Sequence, residues 1–220
     1  MQLKIILIGS TGLVGEGVLL ECLAHPQVSE VLMINRSNNI RKHPKLKELI
    51  VPDFLQIESF AEELKEYDAC FYCAGISSVG ISEDAYTKVT YTTTLHVAEI
   101  LEKINKNMVF SFVSGSRTDS SENGKVMWAR VKGRTENALQ KLGFKAQYNF
   151  RPGFMKPTTG QHNVRFIYRV FESLYPVWIT FLPNWTCKMS DVGLAMINSV
   201  LKGYPKQVLE VKDIKALAKE

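Results

Sequence analysis

The segment Gly9-Ser10-Thr11-Gly12-Leu13-Val14-Gly15 spells G-x-x-G-x-x-G between an apolar run, Leu3 to Ile8, and a stretch of helical period, Leu13 to Ala24. Glycines so placed have distinct uses. The first permits a tight turn, the second lets a pyrophosphate approach the backbone, and the third lets the helix pack on the strand. Free N–H groups at the helix start, with the helix dipole, then hold phosphate. The junction is expected to bind a dinucleotide, with a purely structural glycine turn as the alternative.

The next apolar run, Val31 to Ile34, leads into Asn35-Arg36-Ser37. At this place an NAD site uses a carboxylate for the ribose 2′-hydroxyl, and an NADP site an arginine for the 2′-phosphate. No carboxylate follows the strand, and Arg36 is succeeded by Arg41 and Lys42. A guanidinium matches phosphate in geometry and charge. The pattern favours NADP(H) over NAD(H), against a solvated surface arginine.

Trp128 and Lys132 stand four residues apart, on one face of an expected helix. An indole N–H donates a hydrogen bond, whereas a phenol can also give up and regain a proton. No tyrosine of the chain is followed by lysine at the fourth position. His25, His43, His96 and His162 lack metal-ligand spacing, so no metal site is expected. Ser114-Gly115-Ser116 lacks the first glycine of a nucleophile elbow.

These residues need a scaffold, and the rest of the chain supplies one. Strands are expected at 3–8, 31–34, 49–51, 69–74, 108–113 and 146–150. Helices are expected at 13–24, 58–66, 83–105, 125–142 and 190–201, with a short one from Val211. Alternating strands and helices of this spacing predict an α/β fold, a doubly wound parallel sheet of Rossmann type. The part after Gly153 is expected to be small and mostly helical. Residues 1–220 are read as one domain, with 154–220 covering the substrate side.

The composition bounds the partners. The chain has 220 residues, 45% hydrophobic and 22% charged, with a formal net charge of +5. This suits a globular domain with an ordinary surface and does not single out nucleic acid. The first residues do not read as a signal peptide, and no apolar run is long enough to span a bilayer. Cys70 and Cys73 lie on an apolar strand facing opposite ways, so unpaired thiols and a reducing cytoplasm are expected. The aromatic stretch 163–182 has three readings: packing over the sheet, a homodimer or protein-partner surface, and, least favoured, membrane contact.

Taken in order, several motifs form a set. They are the glycine turn, Asp53 after the third strand, Ala74-Gly75 after the fourth, Ser114 ending the fifth, Lys132 in the following helix and Arg151-Pro152-Gly153 after the sixth. Over roughly residues 1–155 the chain resembles the short-chain dehydrogenase/reductase superfamily. It is most similar to the atypical, epimerase-like branch that includes relatives of the Tat-interacting protein. The resemblance implies that Asp53 and Phe54 border the adenine, and that Ala74, Gly75 and Ile76 run beside the ribose and phosphates. It implies that Ser114 polarises a substrate carbonyl, Lys132 holds the nicotinamide ribose, and Pro152, Gly153 and Phe154 approach the carboxamide. Trp128 stands where that family has its proton-transferring tyrosine.

Two functions are open on the sequence. One is an NADP(H)-dependent oxidoreductase of unknown small-molecule substrate, with Ser114, Trp128 and Lys132 as its catalytic group. The other is a catalytically quiet NADP(H)-sensing regulator or assembly factor.

Overall fold

The computed structural model describes residues 2–39, 41–164 and 181–220. Its frame is a seven-stranded parallel sheet. In chain order the strands are β1 (Leu3–Ile8), β2 (Val28–Asn35), β3 (Leu46–Ile50), β4 (Ala69–Tyr72), β5 (Val109–Val113) and β6 (Ala146–Arg151). The expected six are joined by a three-residue strand near the C-terminus, β9 (Val208–Glu210), which pairs beside β6. The spatial order is β3-β2-β1-β4-β5-β6-β9.

Period-two alternation divides the apolar residues between two cores. Leu3, Ile5 and Leu7 of β1 face one core, with Val31 and Met33 of β2 and Phe71 of β4. Ile6 and Ile8 face the other, with Leu32, Ile34 and Cys70. The first core is covered by α1 (Leu13–Ala24), α5 (Met189–Leu201) and α6 (Val211–Leu217). The second is covered by a 3-10 segment, Phe54–Leu64, by α3 (Thr94–Ile104) and by the end of α4 (Met127–Leu139). Strands covered on both faces need apolar residues at every position, which is why their sequences read as unbroken runs.

The structure departs from the expected elements in four places. The helix expected at 58–66 is the 3-10 segment, kinked at Phe60 (φ −113, ψ 23). The helix expected at 83–105 is divided into α2 (Glu83–Thr87) and α3 by a π turn, Lys88–Thr93. That run is rich in β-branched threonine, and Thr93 Oγ1 donates to the Lys88 carbonyl at 2.9 Å, competing with the regular ladder. The C-terminal part is less purely helical than expected, since it contributes β9 and a separate parallel ribbon of β7 (Phe154–Lys156) and β8 (Thr186–Lys188). Strands of three residues are too short to leave a periodic signal. Most of the aromatic stretch 163–182 lies outside the described residues, so its three readings stay where the sequence left them.

All four cysteines are free. Cys70 belongs to the second core, while Cys22, Cys73 and Cys187 pack with the first. Burial pushes the Cys187 thiol up to about 12 and raises the other three as well. Among the described residues no helix is long and apolar enough to cross a membrane.

A buried ion pair ties α4 to the sheet. Arg151 at the end of β6 donates through Nε to Glu136 Oε1 at 3.0 Å and through Nη2 to Glu136 Oε2 at 2.5 Å. Arg151 also reaches Glu210 of β9 at 3.2 Å and Ser120 Oγ at 2.5 Å. The Glu136 side chain has no exposed surface. Removing one partner of such a pair strands a buried charge. Glu136→Ala is expected to lower unfolding free energy in urea by about 3–5 kcal/mol. A loss within about 0.5 kcal/mol, the range of an ordinary surface substitution, would show that the pair does not hold α4 in place.

Candidate functional site

Strand order reverses at the β1–β4 boundary, and a crevice opens at the carboxyl ends of those strands. Gly9 leaves β1 with φ +87, and a Cβ there would lie 2.5 Å from the Ala74 backbone nitrogen. Gly15 is buried beneath it, where a Cβ would come within 2.0 Å of the Gly9 carbonyl oxygen. Gly12 is different: its Cβ would meet only that same oxygen, at 3.4 Å. Two of the three glycines thus close the turn on itself, and the third faces outward. Gly12 N–H donates back to Gly9 O at 3.0 Å.

The crevice, about 330 Å³, is lined by Gly9, Thr11, Gly12, Arg36, Asp53, Phe54, Ala74, Gly75 and Ile76 among others. The fold brings these together from four segments, those that follow β1, β2, β3 and β4. Asp53 also caps the 3-10 segment by accepting from Leu55 N at 3.0 Å. Ser10 turns inward, its hydroxyl donating to Asn35 Oδ1 at 2.8 Å. Leu13 and Val14 pack on the first core. Tyr72, a tyrosine distant in sequence that could fold into the pocket, lines it as well, and so do Val89 and Thr93, which the sequence did not single out. The last two belong to the π turn, which a continuous helix would have placed differently.

At the end of β2 the polar groups are sorted. Asn35 Nδ2 donates to Glu48 Oε1 at 2.9 Å, which also receives Asn39 N–H at 2.8 Å. Glu48 is therefore occupied and does not line the crevice. Arg41 pairs with the buried Glu16 at 3.0 Å, and Glu16 also accepts the backbone N–H groups of His162 and Asn163. These residues border a second, polar cavity of about 420 Å³ that shares Thr11 with the first. Exposed Arg36 has no ion pair among the described residues and lines the crevice.

Ser114, Trp128 and Lys132 gather beyond β5, apart from the crevice lining. Lys132 Nζ donates to the Ser114 carbonyl at 2.6 Å. Burial lowers the Lys132 ammonium to about 8, with Glu136 one turn onward opposing the shift. Ser114 is buried, and its Oγ lies 2.8 Å from Thr118 Oγ1, a partner that nothing in the sequence singled out. Trp128 is half-buried, with its Cζ3 near the open side of Gly115. The Pro152 carbonyl accepts Ser116 N–H at 3.1 Å, and Phe154 N–H donates to Trp185 O at 2.7 Å. Gly153 lies against that same Trp185 carbonyl, leaving no room for a side chain. Among the described residues no three His, Cys, Asp or Glu groups converge as metal ligands.

The model of the NAD dependent epimerase/dehydratase family matches residues 5–125. The chain is 26% identical over 237 aligned positions to protein HTATIP2 of Rattus norvegicus, covering 100% of this chain and 91% of that protein. It is 24% identical over 214 positions to the mitochondrial protein fmp52 of Emericella nidulans, covering 93% of this chain and 90% of that one. Among solved structures, Bordetella bronchiseptica WbmG in complex with NAD superposes with a TM-score of 0.69 at 12% identity, over 100% of this chain and 78% of that chain. A glucuronic acid dehydrogenase from Chromohalobacter salexigens gives 0.67 at 14% identity, over 95% and 76%. At such identities the likeness shows the fold.

The two kinds of glycine should separate in experiment. Gly15→Ala overpacks the turn and is expected to cost about 1–3 kcal/mol in urea unfolding. Gly12→Ala should stay within about 1 kcal/mol of the parent while its NADPH affinity, read by fluorescence titration, falls about tenfold or more. Equal stability losses in the two variants would contradict the assignment of Gly12 to the ligand face.

Proposed function

Since the chain belongs to the NAD dependent epimerase/dehydratase family, we propose that it is an NADP(H)-dependent oxidoreductase that interconverts a carbonyl and a hydroxyl on a small substrate. The observation that carries this reading is the part-buried Lys132 ammonium on the Ser114 carbonyl, past the end of β5. An ammonium costs free energy to bury and is kept where its charge or its proton is used.

The residues present fit such a cofactor. The N–H groups of the glycine turn and the start of α1 would hold the pyrophosphate. Arg36 would take the adenosine 2′-phosphate, because Arg41 is already neutralised by Glu16 and no free carboxylate stands at the end of β2 to receive a 2′-hydroxyl. Asp53 and Phe54 would border the adenine, Ala74, Gly75 and Ile76 would run beside the ribose and phosphates, and Lys132 would reach the nicotinamide ribose. When bound, the nicotinamide supplies or accepts a hydride. Trp128 replaces the family's tyrosine and would stack on the nicotinamide or the substrate.

The same indole favours a second reading, a cofactor-sensing protein without turnover, because it cannot shuttle a proton. Four unpaired thiols support a reducing compartment, for which we propose the cytoplasm. The mitochondrial label of the fmp52 relatives makes cell fractionation the relevant check.

Titration of tryptophan emission with NADPH and NADH tests the cofactor. NADPH is expected to bind more tightly, and Arg36→Asp to weaken it by about 1.5–3 kcal/mol, roughly 10–100-fold, with little change for NADH. Quenching that falls sharply in Trp128→Phe would support the stacked indole. Equal affinities for both cofactors would remove the NADP preference, and binding of neither would sink the reading altogether.

A further inference from the structure

Counting hydrogens beyond β5 leaves one group able to give up a proton. The Thr118 hydroxyl has a single hydrogen, directed to the Gly115 carbonyl at 2.8 Å. Ser114 Oγ lies 2.8 Å from Thr118 Oγ1. With that hydrogen on Gly115, Thr118 has none for Ser114, and Ser114 is taken as the donor of a pair in which either oxygen can donate. Its own hydrogen is thereby committed, and the serine meets a ligand with lone pairs only. The Trp128 N–H does not titrate.

Lys132 differs from both. Its ammonium carries three hydrogens, and among the described residues the Ser114 carbonyl is its one acceptor. The space above Gly115 is open: a methyl group built there would meet nothing nearer than Trp128 Cζ3 at 3.9 Å and Lys132 Nζ at 4.0 Å. An atom placed in that space touches the indole and the ammonium together.

We propose that Lys132 is the proton donor of this site, passing a hydrogen from Nζ to the oxygen of a carbonyl substrate seated over Gly115, while Ser114 Oγ serves only as an acceptor. This role rests on the oxidoreductase reading. As the carbonyl carbon takes up a hydride from a reduced nicotinamide, its oxygen gains the Lys132 proton. A nicotinamide C–H bond and the lysine N–H bond would break, a C–H and an O–H bond would form on the substrate, and the C=O π pair would become the O–H bonding pair. The lysine is left as a neutral amine that regains its proton from water.

The charged group bearing on Nζ is Glu136 of the same helix, itself neutralised by Arg151 of β6. From β5 the lysine meets only the Ser114 carbonyl. Burial outweighs Glu136 and holds the ammonium near 8, so it is mostly protonated at neutral pH and still able to release a proton.

The test uses the whole protein with NADPH and 4-nitrobenzaldehyde as the carbonyl probe. The pH dependence of single-turnover reduction is measured together with the Lys132 13Cε titration by NMR. The Cε resonance should titrate near pH 8, and reduction should fall as pH rises through that value. Lys132→Arg keeps the charge but cannot release a proton, so it should reduce the probe roughly 10²–10⁴-fold more slowly. Ser114→Ala should be slowed far less and should keep the alkaline limb.

Three results would overturn the role: a Cε that titrates only at the ordinary lysine value, wild-type rates in Lys132→Arg, or loss of the limb in Ser114→Ala. A wild-type protein that binds NADPH yet never reduces the probe would sink the oxidoreductase reading and this role with it. The NMR titration, made without substrate, would still report the state of the lysine.

Discussion

The structure depends on a backbone-to-backbone contact. The Gly9 carbonyl lies where a side chain on Gly15 would be, and the Ala74 backbone lies where a side chain on Gly9 would be. Strand β1, its neighbour β4 and helix α1 therefore meet with nothing but peptide groups between them. That closeness leaves the Gly12 edge and the start of α1 open at the switch point of the sheet, where parallel α/β folds bind ligands. Side-chain packing elsewhere can relax by rotamer changes, but this junction cannot, because it contains no rotamers.

Helix α4 is positioned by a different force. Thr135 Oγ1 reaches the Thr90 carbonyl of the π turn at 3.3 Å, and Gly133 allows the helix to press on the Asp119 carbonyl. Glu136 holds it to Arg151, and through Arg151 to Glu210 at the end of β9. Lys132 lies one turn from that pair. Glu136 does pull the Lys132 ammonium upward, but burial outweighs it, and the lysine is held below its usual range. The late strand β9 thus belongs to the electrostatics of the site as well as to the sheet.

Much of this was legible in the sequence, for identifiable reasons. Strands buried on both faces announce themselves as apolar runs, so β1, β4, β5 and β6 were found within a residue or two. The crevice lining was legible because its glycines and Arg36 sit at fixed offsets from strand ends. What escaped was short or relational. Strands β7, β8 and β9 have three residues each and leave no period. The π turn arises from a competition between a threonine hydroxyl and the helical ladder, which looks like an ordinary helix in sequence. The use of Ser114 was the largest gap. Its family position implied a donor, and the partner that its hydroxyl meets, Thr118 four residues on, left no mark in the sequence.

The crevice and the Ser114–Lys132 group therefore draw their side chains from different elements. The crevice is lined from the ends of β1 and β2, the segments after β3 and β4 and the π turn, whereas Ser114, Trp128 and Lys132 lie past β5 and on α4. Trp128 brings to this place an indole, which does not titrate, and it lies away from the glycine turn and Arg36. In this structure the part-buried ammonium of Lys132 meets one acceptor among the described residues, the Ser114 carbonyl, and the Trp128 indole stands near the same open face of Gly115. An indole cannot give up a proton and an ammonium can, so the lysine is the titratable group of that face.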